Sequence, residues 1–483
     1  MPIQMRSLLV IFVILLAGAS FQARVGAQAG NPSAPDIRGI YLYSLNTVVD
    51  KFPANSPQVT HALSEPGVDG FTLVENWSSV EPERGVFEWD KLPDGQQGHF
   101  DQWVHAAVSA GRKINLAIRA GQDTPCWMFD LASQPCGPGY LGSYAGAREF
   151  TFVAASHQGQ TQHPCEVVSM AAPWDPVFLR EWDAMLAGVA AHLRAIGAYG
   201  SVALVRQTGV NRTTDEFRLP EEILPQPCTD ANGIVHQNTN AISTWLAAGY
   251  RPWLLFLAWD AIDASFQRNF PGKTFNVPII PIDTGRGQYP FPEIDARGCV
   301  YTAIVPKSSW NVPPAIPANT CTNNADLDTA KSQLKTVLSS FLWLSDVNAF
   351  GRLVVEFENL DTAEPASPTV VEASDELHSM MGFMTNNFVA AASSNDPDND
   401  PGNNVGAACS GGFVQPVACG SDAEYLSLLE IGIYPCRNAP SDAFCRSATV
   451  QSAFIEVFAP DVVQFPSAIC QAHNELLTTP QSP

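Results

Sequence analysis

The sequence predicts an α/β protein folded as a single (β/α)8 TIM barrel with long, disulfide-stapled βα loops. Three observations predict it: eight short apolar runs of strand length, helical patterns between most of them, and long connections that follow the strands. A doubly wound open sheet is the second choice, but no Gly-rich dinucleotide loop follows the first run.

Length and composition bound this reading. The chain has 483 residues, 46% of them hydrophobic and 15% charged, enough apolar material for a large core. At about 150 residues per domain the length suggests roughly three domains, yet a barrel of this kind commonly runs to about 250 residues or more as one unit. Asp and Glu outnumber Lys and Arg 48 to 26, and the formal net charge of −22 repels phosphate backbones and anionic lipid. Nucleic acid and membrane surfaces are thereby disfavoured as partners, and neutral or cationic ones remain.

Residues Met1 to Ala29 read as a secretory signal: Arg6, then the apolar run Leu8 to Leu16, then small residues ending at Ala27 and Ala29. The run is too short for a spanning helix, which needs about 20 apolar residues. Residues 30–483 are then the barrel domain of an exported protein, in a compartment where thiols oxidise. Cys126/Cys136, Cys299/Cys321, Cys409/Cys419 and Cys436/Cys445 are expected as local disulfides, with Cys165/Cys228 as a fifth pair and Cys470 left over. No zinc-type Cys or His spacing occurs, so neither a metal nor a cofactor is expected.

The elements follow in order. Strand one is Ile37 to Tyr43, after the Pro/Gly-rich Gly30 to Pro35, and a short helix at His61 to Gly67 leads to strand two, Val68 to Glu75. A helix at Phe100 to Ala110 precedes strand three, Lys113 to Arg119, and one at Pro176 to Ile196 precedes strand four, Val202 to Thr208. A long helix at Thr239 to Phe270 leads to strand five, Phe275 to Ile282, and one at Leu327 to Val347 to strand six, Arg352 to Glu358. A short helix at Val370 to His378 precedes strand seven, Met380 to Asn386; Ala423 to Ile431 precedes strand eight, Ala453 to Phe458, and Pro466 to Leu477 closes the chain. An extra strand at Gly298 to Val305 is an alternative, although it would follow strand five without a crossover helix.

The surplus length lies in four connections: Gly121 to Trp174, Gly209 to Asn238, Asp283 to Asp326 and Ala390 to Ser421. They follow strand carboxyl ends, the face where barrel enzymes build their sites. Asn395 to Asp400 is rich in Asp and Asn, which suits a solvated loop and also a Ca²⁺ site.

The most specific segment is Glu75-Asn76-Trp77-Ser78-Ser79-Val80-Glu81-Pro82-Glu83-Arg84-Gly85-Val86-Phe87-Glu88-Trp89-Asp90. Glu81-Pro82 and Arg84-Gly85 build a tight turn that Phe87 and Trp89 pack down. The segment resembles the second-strand element of clan A (β/α)8-barrel glycoside hydrolases, the β-galactosidase-like and related families, of which this chain would be a divergent member. The resemblance covers strands one to four and implies a carbohydrate substrate, with a general acid/base Glu just after strand four. Glu216 matches that location, although four residues separate it from Asn211, where the clan has an Asn directly before the Glu. The surface alternative for Glu216 is pairing with Arg212 or Arg218.

Glycoside cleavage needs a second carboxyl group across the scissile bond. In Leu353 to Asn359 the period of two puts Val354, Glu356 and Glu358 on one face, and the apolar alternates on the other belong against the helices. Glu358, nearer the carboxyl end, is the expected nucleophile, although the clan's nucleophile follows strand seven and this strand is the sixth. Glu356 and Glu456 are the alternative catalytic acids, with structural pairing to Arg38, Arg119 or Arg206 as the competing role. The residues expected to contact sugar are Glu75, Trp77, Trp127, Arg206, Asn211 and Asn386, and Trp174 and Trp310 are further ring platforms on the loops. The expected function is a secreted glycoside hydrolase of two-carboxylate, retaining type; the alternative is a barrel that binds carbohydrate, or serves as a scaffold, without cleaving it.

Overall fold

In the run Lys113–Arg119 every second side chain faces the same way. Ile114, Leu116 and Ile118 pack in the layer between strand and helices, while Asn115, Ala117 and Arg119 face the opposite side. Both faces are covered, as expected of a parallel sheet wrapped by helices. The computed structural model describes residues 36–44, 57–90, 99–129, 136–137, 140–155, 165–212, 216–217, 219–220, 223–224, 227–230, 232–237, 239–250, 252–279, 341–360, 374, 377, 379–385, 421–434 and 452–478.

Eight parallel strands close into a barrel: β1 (Gly39–Ser44), β2 (Gly70–Asn76), β3 (Lys113–Arg119), β4 (Val202–Arg206), β5 (Thr274–Ile279), β6 (Leu353–Leu360), β7 (Met380–Thr385) and β8 (Ser452–Phe458). Each pairs with its sequence neighbours and β1 pairs with β8, so no edge is left open. All eight coincide with the apolar runs of the sequence to within a few residues. The (β/α)8 assignment therefore holds.

Helices around the barrel include α1 (Pro57–Ser64), α2 (His99–Ser109), α3 (Pro176–Ala195), α4 (Ala241–Ala247), α5 (Pro252–Asn269), α6 (Asp422–Ile433), α7 (Ala459–Gln464) and α8 (Pro466–Thr478), and residues 341–349 before β6 are helical too. Helix α3 starts where Asp175 accepts a hydrogen bond from Val177 N at 2.8 Å with Pro176 in the first turn. It buries Phe178, Trp182, Met185, Leu186, Val189 and Leu193. At about 1.5–3 kcal/mol per large apolar side chain, this packing outweighs helix propensity as the reason the segment is ordered.

Two expectations change. The helix expected over Thr239 to Phe270 is a short strand pairing Thr239–Asn240 with Ile223–Leu224, followed by α4 and α5 as separate helices. Pro252, lacking an N–H, opens α5 and cannot continue α4. The connection from Gly121 to Trp174 carries an antiparallel hairpin, Glu149–Ala155 with Cys165–Ala171. Cys165 is disulfide-bonded to Cys228, which ties this hairpin to the connection after β4, and Cys126 is bonded to Cys136. Cys470 on α8 is free and exposed. The signal region, the segments Gly298 to Val305 and Asn395 to Asp400, most of the Leu327 to Val347 and Val370 to His378 helices, and the other three cysteine pairs lie outside the described residues. Among the described residues no helix is long and apolar enough to cross a membrane.

Candidate active site at the carboxyl ends of the strands

The barrel interior is built in layers, and the layers decide which acids reach the mouth. At the amino-terminal end Tyr41, Leu204, Val354 and Phe454 form an apolar floor. Tyr41 and Phe454 pack at 5.4 Å between ring centroids, and they have room because Gly70 and Gly382 carry no side chain: a Cβ there would lie 2.2 Å and 2.4 Å from their rings.

Above the floor sits a polar layer in which every side chain is buried. Arg206 Nη2 donates to Glu356 Oε1 at 2.5 Å and to Glu456 Oε2 at 2.7 Å. Thr72 Oγ1 and Asn115 Nδ2, the latter at 2.9 Å, donate to Glu456 Oε1, and Asn276 Nδ2 donates to Glu356 Oε2. One guanidinium thus faces two carboxyl groups whose other oxygens receive neutral donors, the arrangement that makes buried charge tolerable. On the β7-β8-β1-β2-β3 side Tyr43, Val74, Ala117, Phe458 and Met384 form an apolar layer directly above. The structure therefore places Glu356, Glu456 and Arg206 together below the mouth, bound to one another. Of the three arginines considered as partners for these acids, it is Arg206 that pairs with them.

The mouth is formed by the ends of β2, β3 and β4 and the segments that follow. Arg119, the last residue of β3, donates from Nε and Nη2 to Asn76 Oδ1 at 3.1 and 2.6 Å, and Nε lies 3.2 Å from Asp123 Oδ2. Asp123 closes a short 3-10 turn, Gly121–Asp123, docked on the segment after β4 by Gln122 N to Arg212 O at 2.9 Å. Asn211 Oδ1 accepts from Ala120 N and Gly209 N, both at 3.2 Å, and so locks the same two segments together. Gly121 is at φ +50°, and a Cβ there would stand 2.0 Å from Arg212 O. Burial pushes the Asp123 carboxyl up to about 6, with the Arg119 charge acting against the rise. Nothing but the Arg119-to-Asp123 spacing could have pointed to this residue in the sequence.

Glu216 sits at the rim beside β5. Phe217 N donates to Pro278 O at 2.9 Å, and the Phe217 ring is buried against Trp259 and Phe341 at 4.3 and 5.4 Å between centroids. The chain after β4 therefore folds back over the strand ends. Glu216 Oε2 is buried with no hydrogen-bond partner among the described residues. Pro278 on β5 is in register with Glu356 on β6, and Glu358 lies two residues further toward the carboxyl end of that strand. The side chain of Glu358 is outside the described residues, as are Asn386 and Trp310.

The indoles expected as sugar platforms lie elsewhere. Trp77 and Trp127 are fully buried, edge to face at 5.9 Å between centroids. Trp77 Nε1 donates to Glu81 Oε2 at 2.8 Å and Trp127 Nε1 to Glu81 O at 2.9 Å, while Gly85 N donates to Glu81 Oε1 at 2.7 Å. Glu81 is thus the hub of the turn read in the sequence, and burial raises its carboxyl above the ordinary glutamate range. Trp174 stacks on Trp245 in the core. Glu75 shares the outward side of β2 with Phe71 and Leu73 and is buried there. Trp77 packs in the core because the segment after β2 turns back onto Phe178 and Trp182 of α3 instead of opening to solvent. Asn211 is at the mouth, where its side-chain oxygen serves the backbone.

Asn76, Arg119 and Asp123 give the β2-β3 side of the mouth donors, acceptors and a carboxyl group, a set that can bind polyols, and Glu216 beside β5 supplies a second carboxyl group. Among the described residues no group of three or more His, Cys, Asp or Glu side chains is placed to hold a metal ion.

No protein-family model matches the chain, and neither does any curated protein sequence. Solved structures do match along most of it. The intracellular xylanase TsXylA from Thermoanaerobacterium saccharolyticum, complexed with xylotriose, has a TM-score of 0.37 at 10% identity, covering 90% of this chain and 92% of that one. The GH53 catalytic domain of Ignisphaera aggregans has a TM-score of 0.38 at 8% identity, covering 89% and 87%. A GH10 xylanase from a Bispora species with xylobiose has a TM-score of 0.35 at 9% identity, covering 87% and 82%. The barrel assignment itself rests on the strand pairing given above.

Proposed function

We propose that the chain is an exported glycoside hydrolase, a divergent relative of the clan A barrels, that cleaves an O-glycosidic bond with Glu216 as acid/base and Glu358 as nucleophile. The observation that carries the reading is the Phe217 N to Pro278 O bond, which seats Glu216 on the rim of β5 next to the strand that bears Glu358. In such a site Glu216 gives its proton to the leaving oxygen as Glu358 attacks the anomeric carbon; water then loses a proton to Glu216 and releases the sugar with retained configuration. Export accords with the signal-like residues Met1 to Ala29 and with the two disulfides.

Aryl glycosides of xylose, mannose, galactose and glucose test the roles. Glu216→Gln and Glu358→Gln should each lower kcat by about a hundredfold or more. Unchanged turnover in both variants overturns the assignment.

A second reading, a barrel that binds carbohydrate without cleaving it, is favoured by one observation: Glu356 and Glu456 are already engaged with Arg206. Oligosaccharide binding without turnover of any aryl glycoside selects this reading.

A further inference from the structure

Asp123 has no part in the two-glutamate chemistry, yet its seat at the mouth is the more firmly built. The turn that carries it is fixed at both ends, by Asp123 N to Ala120 O at 2.7 Å and by Thr124 Oγ1 to Gly121 O at 2.7 Å, and its middle is docked on the segment after β4 through Gln122. The Cys165–Ala171 strand of the disulfide-tied hairpin packs against it. A functional group held this way loses little entropy on meeting a ligand.

The carboxyl group is held but not saturated. Arg119 directs Nε and Nη2 at Asn76 Oδ1, so Asp123 Oδ2 lies in ion-pair range of Arg119 without receiving an aligned hydrogen bond. Oδ2 itself is buried, and the 13% of the Asp123 side chain that is exposed leaves a narrow face toward solvent through its other atoms. On the carbohydrate reading above, the geometry points to Asp123 as a substrate-contacting residue whose carboxylate accepts a hydrogen bond from a sugar hydroxyl while Arg119 steadies it.

The charge state of this group then sets affinity. Titratable side chains on the elements round the turn are Arg119 on β3, Arg212 and Glu216 after β4, and the exposed Glu166 on the hairpin, with Arg119 in ion-pair contact. Burial against that opposing charge leaves Asp123 titrating at about 6. An ionised carboxylate accepts a hydroxyl hydrogen bond more strongly than a neutral carboxyl. Between pH 5 and pH 7 the ionised fraction of such a group rises about tenfold, and affinity follows it.

Isothermal titration of the mature protein with xylotriose, cellotriose, mannotriose and galactotriose at pH 5 and pH 7 tests this. Wild type should bind at least one trisaccharide about tenfold more tightly at pH 7, and Asp123→Asn should bind it weakly with no pH dependence. Equal affinity and equal pH dependence in wild type and Asp123→Asn overturn the role of Asp123 and leave the carbohydrate reading standing. Failure of wild type to bind any of the four overturns both. Should circular dichroism show Asp123→Asn unfolded, Asp123→Glu replaces it: displacement of the oxygens by one methylene should weaken binding about tenfold, and wild-type affinity there is equally fatal to the proposal.

Discussion

Arg206 and Glu456 lie 2.7 Å apart in the middle of the barrel, and neither side chain touches solvent. Glu356 is on the same guanidinium at 2.5 Å, so one cation serves two acids. Replacing Arg206 by Met leaves both carboxyl groups without their counter-charge, and urea unfolding should show a loss of about 3–5 kcal/mol. Wild-type stability in that variant would mean that the polar layer is held by its neutral donors alone.

Gly121→Ala should be costly for a different reason. The left-handed backbone and the carbonyl of Arg212 at 2.0 Å from an added Cβ leave no place for a methyl group. A loss of about 1–3 kcal/mol is expected, together with faster amide exchange at Gln122.

The pH dependence of stability carries the mark of Asp123. Its folded carboxyl titrates at about 6 and the unfolded one at about 3.9. Between these values the folded protein binds more protons than the unfolded one, so stability is full below pH 4 and falls as pH rises through 6. The loss relative to Asp123→Asn should be on the order of 2–3 kcal/mol between pH 4 and pH 7, read by chemical denaturation at each pH.

Trp77→Ala separates a core ring from a sugar platform. The indole is fully buried against Trp127, Phe178 and Trp182. Unfolding should show a loss of about 3–5 kcal/mol, with oligosaccharide affinity of the folded fraction unchanged. A variant of native stability with lost affinity would return Trp77 to the binding site.

Removing the Cys165–Cys228 crosslink by double substitution with Ser releases a 63-residue separation along the chain. The chain-entropy estimate puts the cost at about 4 kcal/mol, visible as a lowered Tm.

The strands were legible because both faces of each are buried: Lys113-Ile-Asn-Leu-Ala-Ile-Arg is apolar enough on its outer face to stand out from any loop. The Cys165–Cys228 bond is the expected fifth pair, though three cysteines remained once the near neighbours were matched and spacing alone did not choose between them. The mouth was less so. Trp77 and Trp127 follow strand ends, where a ring packs on the core or faces a ligand with the same local sequence, and only the return of the segment onto α3 decides between them. The period of two correctly placed Glu356 inward, yet depth within the barrel depends on how strands stagger, and stagger leaves no trace in one strand's sequence. Asp123 owes its character to Arg119 and to the hairpin above it, which joins the turn from about forty residues downstream.

The apolar floor of Tyr41, Leu204, Val354 and Phe454 has a consequence for traffic. With those rings interlocked across Gly70 and Gly382, the barrel is a cup and not a tube. Whatever enters at the carboxyl-terminal rim must leave by the same rim, on whose β3 side the disulfide-tied hairpin packs against the Gly121–Asp123 turn.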